Sequence, residues 1–305
     1  MSEQENSDNK MSSDEQRSVR NAIFETQQAV AGSGKAGEPA PISREQYAKK
    51  ELGLDIPVNA VPLPSAGKIY GQGSSLHNAT KLEYRSMTAR EEDILMSRAY
   101  IKKGTVITEL IKSCLIDNSV NVNSMISGDR NALMIAIRAS GYGASYKPQY
   151  TCPACETMNT LDIDLSALPI KPLELTPAEP FENLFSFTLP RTNKTVKFRF
   201  LTGDVEEKLL KTMEIKKKKG IQNENLVTTR LLSTIAEIDG VDDKTQISKF
   251  IQYMPAQDSL ALREYIDQNE PGVDMSVEFA CQNCEHVSDI SLPMGPSFFW
   301  PHARG

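Results

Sequence analysis

A chain of 305 residues with 39% hydrophobic content is long enough to bury a sizeable core, as one main body with an appendage. Its formal net charge of −6 offers no overall basic field to attract nucleic acid or an anionic membrane. The opening residues Met1-Ser-Glu-Gln-Glu-Asn6 hold no apolar signal-like run and no later window approaches a membrane span, so the expectation is a protein neither exported by a signal peptide nor membrane-spanning.

Residues 1–55 are expected to form a disordered N-terminal tail. Ser, Glu, Gln, Asn, Lys and Gly dominate the segment, and with Phe24 and Tyr47 as its only aromatics it cannot bury enough surface to offset the entropy of ordering. Within it, residues 17–30 place Val19, Ile23 and Phe24 at helical spacing, which reads either as a helix that docks on a partner or as transient helicity in a free arm.

Residues 56–145 read as an extended strap followed by a helical domain. Pro57, Pro62 and Pro64 among apolar residues favour an extended strap lying on a surface. Gly71-Gln-Gly73 lacks the Gly-Lys-Ser/Thr ending of a phosphate loop and reads as a turn, after which Leu82 and Tyr84 alternate as a short strand. Thr88-Ala-Arg-Glu91 has the form of a capping box, Ile94, Leu95, Arg98 and Ile101 follow at helical spacing, and Gly104 can end the turn; together they predict one helix over 89–103. Val106, Ile107, Leu110, Ile111, Cys114 and Leu115 make a second apolar stripe, with Cys114 read as a buried thiol rather than a nucleophile. Ala132, Leu133, Ala136 and Ile137 make a third, opened by Gly128-Asp129 and closed by Gly141, giving three helices of one small bundle.

Residues 146–166 and 272–296 are expected to be two halves of one module, separated by an inserted domain over 167–271. The insert opens with a hairpin, in which Phe185, Phe187 and Leu189 alternate before a turn at Arg191-Thr-Asn-Lys194, and Val196, Phe198 and Phe200 alternate after it. Asp204 can cap a helix running towards Lys216-Lys-Lys-Lys219, where four lysines before Gly220 suit a solvated helix end better than a nucleic-acid site. Further helices are predicted over 226–238 and 247–254, with 259–265 as part of a third. The chain closes at 297–305 with an aromatic tail, Phe298-Phe-Trp300 between prolines, either a clasp on the protein's own core or an anchor for a neighbour.

Four of the five cysteines lie in Cys152-Pro-Ala-Cys155 and Cys281-Gln-Asn-Cys284. Two such knuckles supply four thiolates, which is what a tetrahedral structural zinc requires. Their flanks match as well. Tyr150 and Phe279 precede the two first cysteines by the same offset, and Leu161, Ile163 and Leu165 follow the first knuckle as Ile290, Leu292 and Met294 follow the second. Each knuckle therefore reads as the tip of a hairpin, and the pair as a zinc-ribbon-like site bound by Cys152, Cys155, Cys281 and Cys284. The 125 residues between Cys155 and Cys281 far exceed a minimal ribbon's spacing. Loop closure costs grow only logarithmically with length, whereas a structural zinc contributes on the order of 10 kcal/mol or more. Two disulfides, a redox pair or core-filling cysteines are the competing readings. His286 is a further candidate donor, read as a strand-surface residue, and neither His77 nor His302 falls in a metal-ligand pattern. The fold class expected is thus α+β, a helical bundle with small antiparallel hairpins and a zinc-ribbon-like site.

Val61-Pro-Leu-Pro-Ser65, Gly67-Lys-Ile-Tyr-Gly71, Met87-Thr-Ala-Arg-Glu-Glu-Asp-Ile-Leu95, Ile101-Lys-Lys-Gly-Thr-Val-Ile107, Gly128-Asp-Arg-Asn-Ala-Leu133, Gly141-Tyr-Gly143, both knuckles and Phe298-Phe-Trp-Pro301, taken together, give a chain that resembles the baseplate hub subunit family of T4-like contractile-tailed bacteriophages. The resemblance implies a structural component or assembly factor of the hub of a phage tail baseplate, assembled in the host cytoplasm, with other tail and hub proteins as partners and no catalytic activity. No nucleophile with a recognisable flanking motif argues otherwise. The alternative is a zinc-ribbon nucleic-acid-binding protein of a phage, such as a late-transcription or recombination factor. Against it stand Glu156, Asp162, Asp164, Glu278, Glu285 and Asp289, carboxylates that flank the knuckles and would repel phosphate.

Overall fold

A computed structural model of the protein describes residues 44–218, 225–292, 294 and 296–299. The chain divides into two compact units, residues 1–55 and residues 56–305. In the first unit the described part is one helix, α1 (Arg44–Leu52), where the sequence predicts a tail. Gly53 ends it in the left-handed region at φ 66°, and the Leu54 N–H reaches back to the Ala48 carbonyl at 3.0 Å, which closes the last turn. The candidate helix at 17–30 lies outside the described residues.

The second unit begins with a two-stranded antiparallel sheet, β1 (Val58–Pro62) against β2 (Lys81–Arg85), in register from Val58 with Arg85 to Pro62 with Lys81. The proline-rich strap is therefore a strand of this sheet, and from Val61 it enters the core, with Leu63, Ser65, Ile69 and Tyr70 buried.

Three helical segments follow where two were predicted. The 89–103 helix is split at Ser97 into α2 (Ala89–Met96) and α3 (Arg98–Lys103), with Ser97 extended at ψ 107°. The reason is burial: Leu95 is in the core, Met96 is 67% exposed, and α3 buries no residue, so nothing holds one straight apolar stripe across the join. Gly104, left-handed at φ 70°, ends α3. The amphipathic α4 (Val106–Cys114) buries Val106, Leu110, Ile111 and Cys114. The 16-residue α5 (Ser127–Tyr142) lies at the centre of the core, touching β1, α4, the Leu165–Ala167 turn and the C-terminal Pro296–Phe299 turn.

Next come β3 (Ser145–Tyr146), β4 (Gln149–Thr151), β5 (Met158–Thr160) and β6 (Ile163–Asp164), an interrupted hairpin in which β4 pairs with β5 and β3 with β6. The chain then leaves through β7 (Ile170–Lys171). The insert holds the predicted hairpin, β8 (Phe185–Thr188) and β9 (Thr195–Phe198), followed by α6 (Gly203–Lys218) and α7 (Leu226–Thr234). The helix predicted over 226–238 stops at Thr234, because β10 (Ile235–Ile238) pairs with the open edge of β9, with a register shift between Ile235 and Glu237 and both isoleucines buried, and completes a three-stranded sheet. The helices α8 (Lys244–Tyr253) and α9 (Ala256–Asn269) follow. The return strand β11 (Gly272–Val273) pairs antiparallel with β7, so the insert leaves and re-enters through one two-stranded neck. The final hairpin is β12 (Ser276–Ala280) with β13 (Val287–Ser291). Buried apolar residues of the helical segment and of the insert belong to one cluster, while a smaller one surrounds the knuckles.

The aromatic terminus is a clasp as far as Phe299. Phe298 and Phe299 are fully buried, Phe298 sits edge-on to Tyr146 at 5.0 Å, and the Arg138 Nε–H donates to the Phe298 carbonyl at 3.2 Å. These two rings are thus not available as exposed anchors, while Trp300 and His302 lie outside the described residues.

One buried ion pair fixes the first sheet to the helices. Arg85 on β2 forks onto Glu91 on α2 at 3.0 and 2.7 Å, and Glu91 also accepts from the Thr88 N–H and hydroxyl and from the Ser113 hydroxyl. Burial by itself would raise the Glu91 carboxyl. The donors from Arg85, Ser113 and Thr88 outweigh it and hold it well below the usual carboxylate range. With side chains 2% and 0% exposed, removing one partner takes away the opposite charge that compensates the other inside the core. Glu91→Ala is expected to lose about 3–5 kcal/mol in urea unfolding at neutral pH. Because the folded value is depressed, this contribution is complete above the ordinary value of 4.5 and is lost progressively as pH falls below it towards the folded value, so the gap between variant and wild type narrows with falling pH.

Candidate metal centre

The two knuckles are built alike. In the first, the Glu156 N–H donates to the Cys152 carbonyl and the Cys152 N–H to Thr157, both at 2.9 Å. In the second, the Glu285 N–H donates to Cys281 at 3.0 Å and the Cys281 N–H to His286 at 2.9 Å. Glu156 and Glu285 take the same left-handed conformation, at φ 57° and 58°. Every one of these residues maps onto its counterpart by a shift of 129 positions. The sequence therefore encodes one local turn twice, each time at a hairpin tip.

Packing joins the two tips. Tyr150 and Phe279, equivalent in the two hairpins, meet edge to face with centroids 4.7 Å apart, and Ile290, Leu161 and Val277 complete a small apolar cluster with Cys152 and Cys281. The four Sγ atoms of Cys152, Cys155, Cys281 and Cys284 then all lie within 4.8 Å of one another. Across the join, Cys152 is 3.7 Å from Cys284 and Cys155 is 3.6 Å from Cys281. Cys152 and Cys281 are buried and Cys284 is exposed, which leaves an approach from solvent.

Electrostatics favours a cation between these sulfurs. The Thr157 hydroxyl and N–H, with the Asn283 amide, hold the Cys155 thiol down to about 5. The His286 N–H lowers Cys284, but the neighbouring sulfurs, Cys155 foremost, outweigh it and push that thiol up to about 12. Thiols this close oppose joint ionisation, and a divalent cation reverses that logic by binding all of them as thiolates. Four such donors at these separations can hold one metal ion.

The remaining candidates fall elsewhere. Among the described residues this is the one cluster of three or more potential metal-ligating side chains. His286 contributes its carbonyl to the second knuckle, while His77 pairs through Nδ1 with the Tyr70 carbonyl at 2.8 Å and lies against Phe181. Cys114 is in the main core. One participant escapes sequence reasoning altogether: Asn159 on β5, whose amide touches the Cys281 sulfur and whose counterpart in the second hairpin is Ser288. Neither the knuckle spacing nor the matched flanks signal it.

A family model described as T4 bacteriophage base plate protein matches residues 59–300. Neither the curated proteins nor the solved structures contain a match.

The left-handed turns carry a testable cost. Glu156→Gly and Glu285→Gly are expected to be tolerated or slightly stabilising, whereas Glu156→Val should lower stability by about 1–2 kcal/mol, read as the thermal midpoint of the purified chain.

Proposed function

Because the chain belongs to the T4 bacteriophage base plate protein family, we propose that it serves as a structural component or assembly factor of the baseplate hub of a contractile tail, acting by binding other tail proteins. Membership supports a location in a phage tail baseplate and a structural role there. The observation that carries the reading is the extent of the match, 59–300, which takes in nearly all of the first sheet, the helices α2 to α9, the insert and both knuckles rather than a metal motif alone. Assembly in the host cytoplasm and the hub position are part of this proposal. No helix among the described residues is long and apolar enough to cross a membrane.

We further read the cysteine cluster as a structural zinc site with Cys152, Cys155, Cys281 and Cys284 as ligands. Tetrahedral zinc with Zn–S near 2.3 Å places its sulfurs about 3.8 Å apart, and the two cross-knuckle separations of 3.7 and 3.6 Å fit that edge. When bound, such an ion cross-links the two hairpins and has no open coordination position for chemistry. Glu156, Asp162, Asp164, Glu278, Glu285 and Asp289 are all exposed around the module, an arrangement that repels phosphate and supports a protein partner over nucleic acid.

Elemental analysis of purified protein is expected to give one zinc per chain, lost in Cys281→Ser and retained in Cys114→Ser. Chelation should raise amide exchange at the paired strands of both hairpins while leaving α4 and α5 unchanged. For the hub role, a phage lacking the protein is expected to make heads and DNA but no tails with complete baseplates. Loss of late gene expression, with separately supplied tail proteins assembling normally, would instead establish the nucleic-acid alternative.

A further inference from the structure

The side-chain amide of Asn159 joins the two knuckles, and its geometry leaves no choice of orientation. The Gln282 backbone N–H can only donate, so the atom it meets at 3.0 Å is the Asn159 oxygen. The Asn159 nitrogen must then face the other way, where it donates to the Thr157 carbonyl at 2.9 Å and to the Cys281 sulfur at 3.6 Å. The residue is 5% exposed, so these partners are not exchanged freely for water. A second bond crosses the join, from the Asn283 amide to the Thr157 hydroxyl at 3.2 Å, while within the second knuckle the Asn283 backbone N–H lies 3.5 Å from the Cys281 sulfur.

The near repeat of the two hairpins shows that this is not a generic feature of the turn. Ser288 stands where Asn159 would map in the second hairpin, and its buried hydroxyl has no hydrogen-bond partner. A serine is too short to bridge the join. Of the two equivalent places one carries a side chain long enough, with a donor and an acceptor on opposite edges, to reach the facing knuckle.

We propose that Asn159 is a positioning residue for the metal centre, holding the Cys281 sulfur in place and donating to it while fixing the facing knuckle through Gln282. The inference rests on the zinc reading given above. Its chemistry is specific to an amide. Aspartate keeps the shape but offers only acceptors, and so sets a carboxylate against a thiolate. Alanine leaves the Gln282 N–H unpaired inside the join and removes a donor from the sulfur. Losing an N–H donor makes the thiolate a stronger electron donor, so its charge-transfer band to a bound metal moves to lower energy.

The test uses the full chain, with Co²⁺ as a spectroscopic probe and a chromogenic chelator competing for Zn²⁺. Asn159→Ala is expected to bind zinc about 10–100-fold more weakly than wild type, with the cobalt–thiolate band shifted to longer wavelength. Asn159→Asp should be weaker still, and Ser288→Ala unchanged in both readouts. The isosteric aspartate variant decides the matter if the alanine variant does not fold. Wild-type affinity with an unshifted band in Asn159→Ala overturns the positioning role and leaves the zinc site standing. A wild-type chain that takes up neither Zn²⁺ nor Co²⁺ overturns both.

Discussion

The close approach of Gly128 to the carbonyl of Pro271 is the constraint through which the two halves of the knuckle module come together. A side-chain carbon at residue 128 would sit 1.7 Å from that oxygen and 2.9 Å from the Gly272 Cα, so only glycine permits the contact. It seats the start of α5 against β11, and β11 in turn pairs with β7. Once the neck is closed, the strands that lead to Cys152 and those that lead to Cys281 start from adjacent places. The same end of α5 is fixed from other directions. The Ser127 N–H donates to Leu201 at 2.9 Å and the Gly203 N–H to Met125 at 3.0 Å, while Arg130 fills the space where any side chain on Gly203 would stand. Several long-range contacts of the described chain thus meet at one helix terminus.

That terminus is also polar inside, which decides its register. Asp129 is fully buried and accepts from the Ser65 N–H at 2.9 Å, the Ser65 hydroxyl at 2.6 Å and the Tyr70 hydroxyl at 2.6 Å. Burial raises its carboxyl despite those donors, and burial likewise raises the Tyr70 phenol well above its usual value. At the other end of α5, Arg138 is held by the carbonyls of Phe298, Gly143 and Ser145. A purely apolar helix could slide by a turn at modest cost. One carrying buried groups at both ends leaves each of them unpaired if it moves.

The sequence was most readable where a structure is specified by local chemistry. Thr88 and Glu91 announce a helix start because a capping box is complete within four residues, and the knuckles announce themselves because the same Cys-x-x-C turn with the same apolar flanks occurs twice. What lay beyond that range was hidden. The Thr88-Glu91 box gives no hint that Glu91 also receives Arg85 from the neighbouring sheet. Residues 226–238 carry apolar spacing compatible with a helix throughout, and only the vacant edge of β9 recruits Ile235–Ile238 as strand. The terminal aromatics read equally as clasp or anchor until Tyr146 and Arg138 are found beneath Phe298. Asn159 is the sharpest case, since its importance depends on a contact with a residue more than a hundred positions away.

The separation of the two knuckles also sets an order in time. A ribosome adds about 5–20 residues per second, so the second pair of sulfurs emerges on the order of ten seconds after the first. Throughout that interval the first hairpin exists without the surface it packs against: Phe279 has not yet been made to cover Tyr150, nor Gln282 to meet Asn159. The whole insert, by contrast, has left the ribosome's active centre before Cys281 is joined to the chain. The four-sulfur cluster therefore cannot close until the whole insert has been made, and the Phe298–Phe299 clasp on the main core can form only after both knuckles are complete.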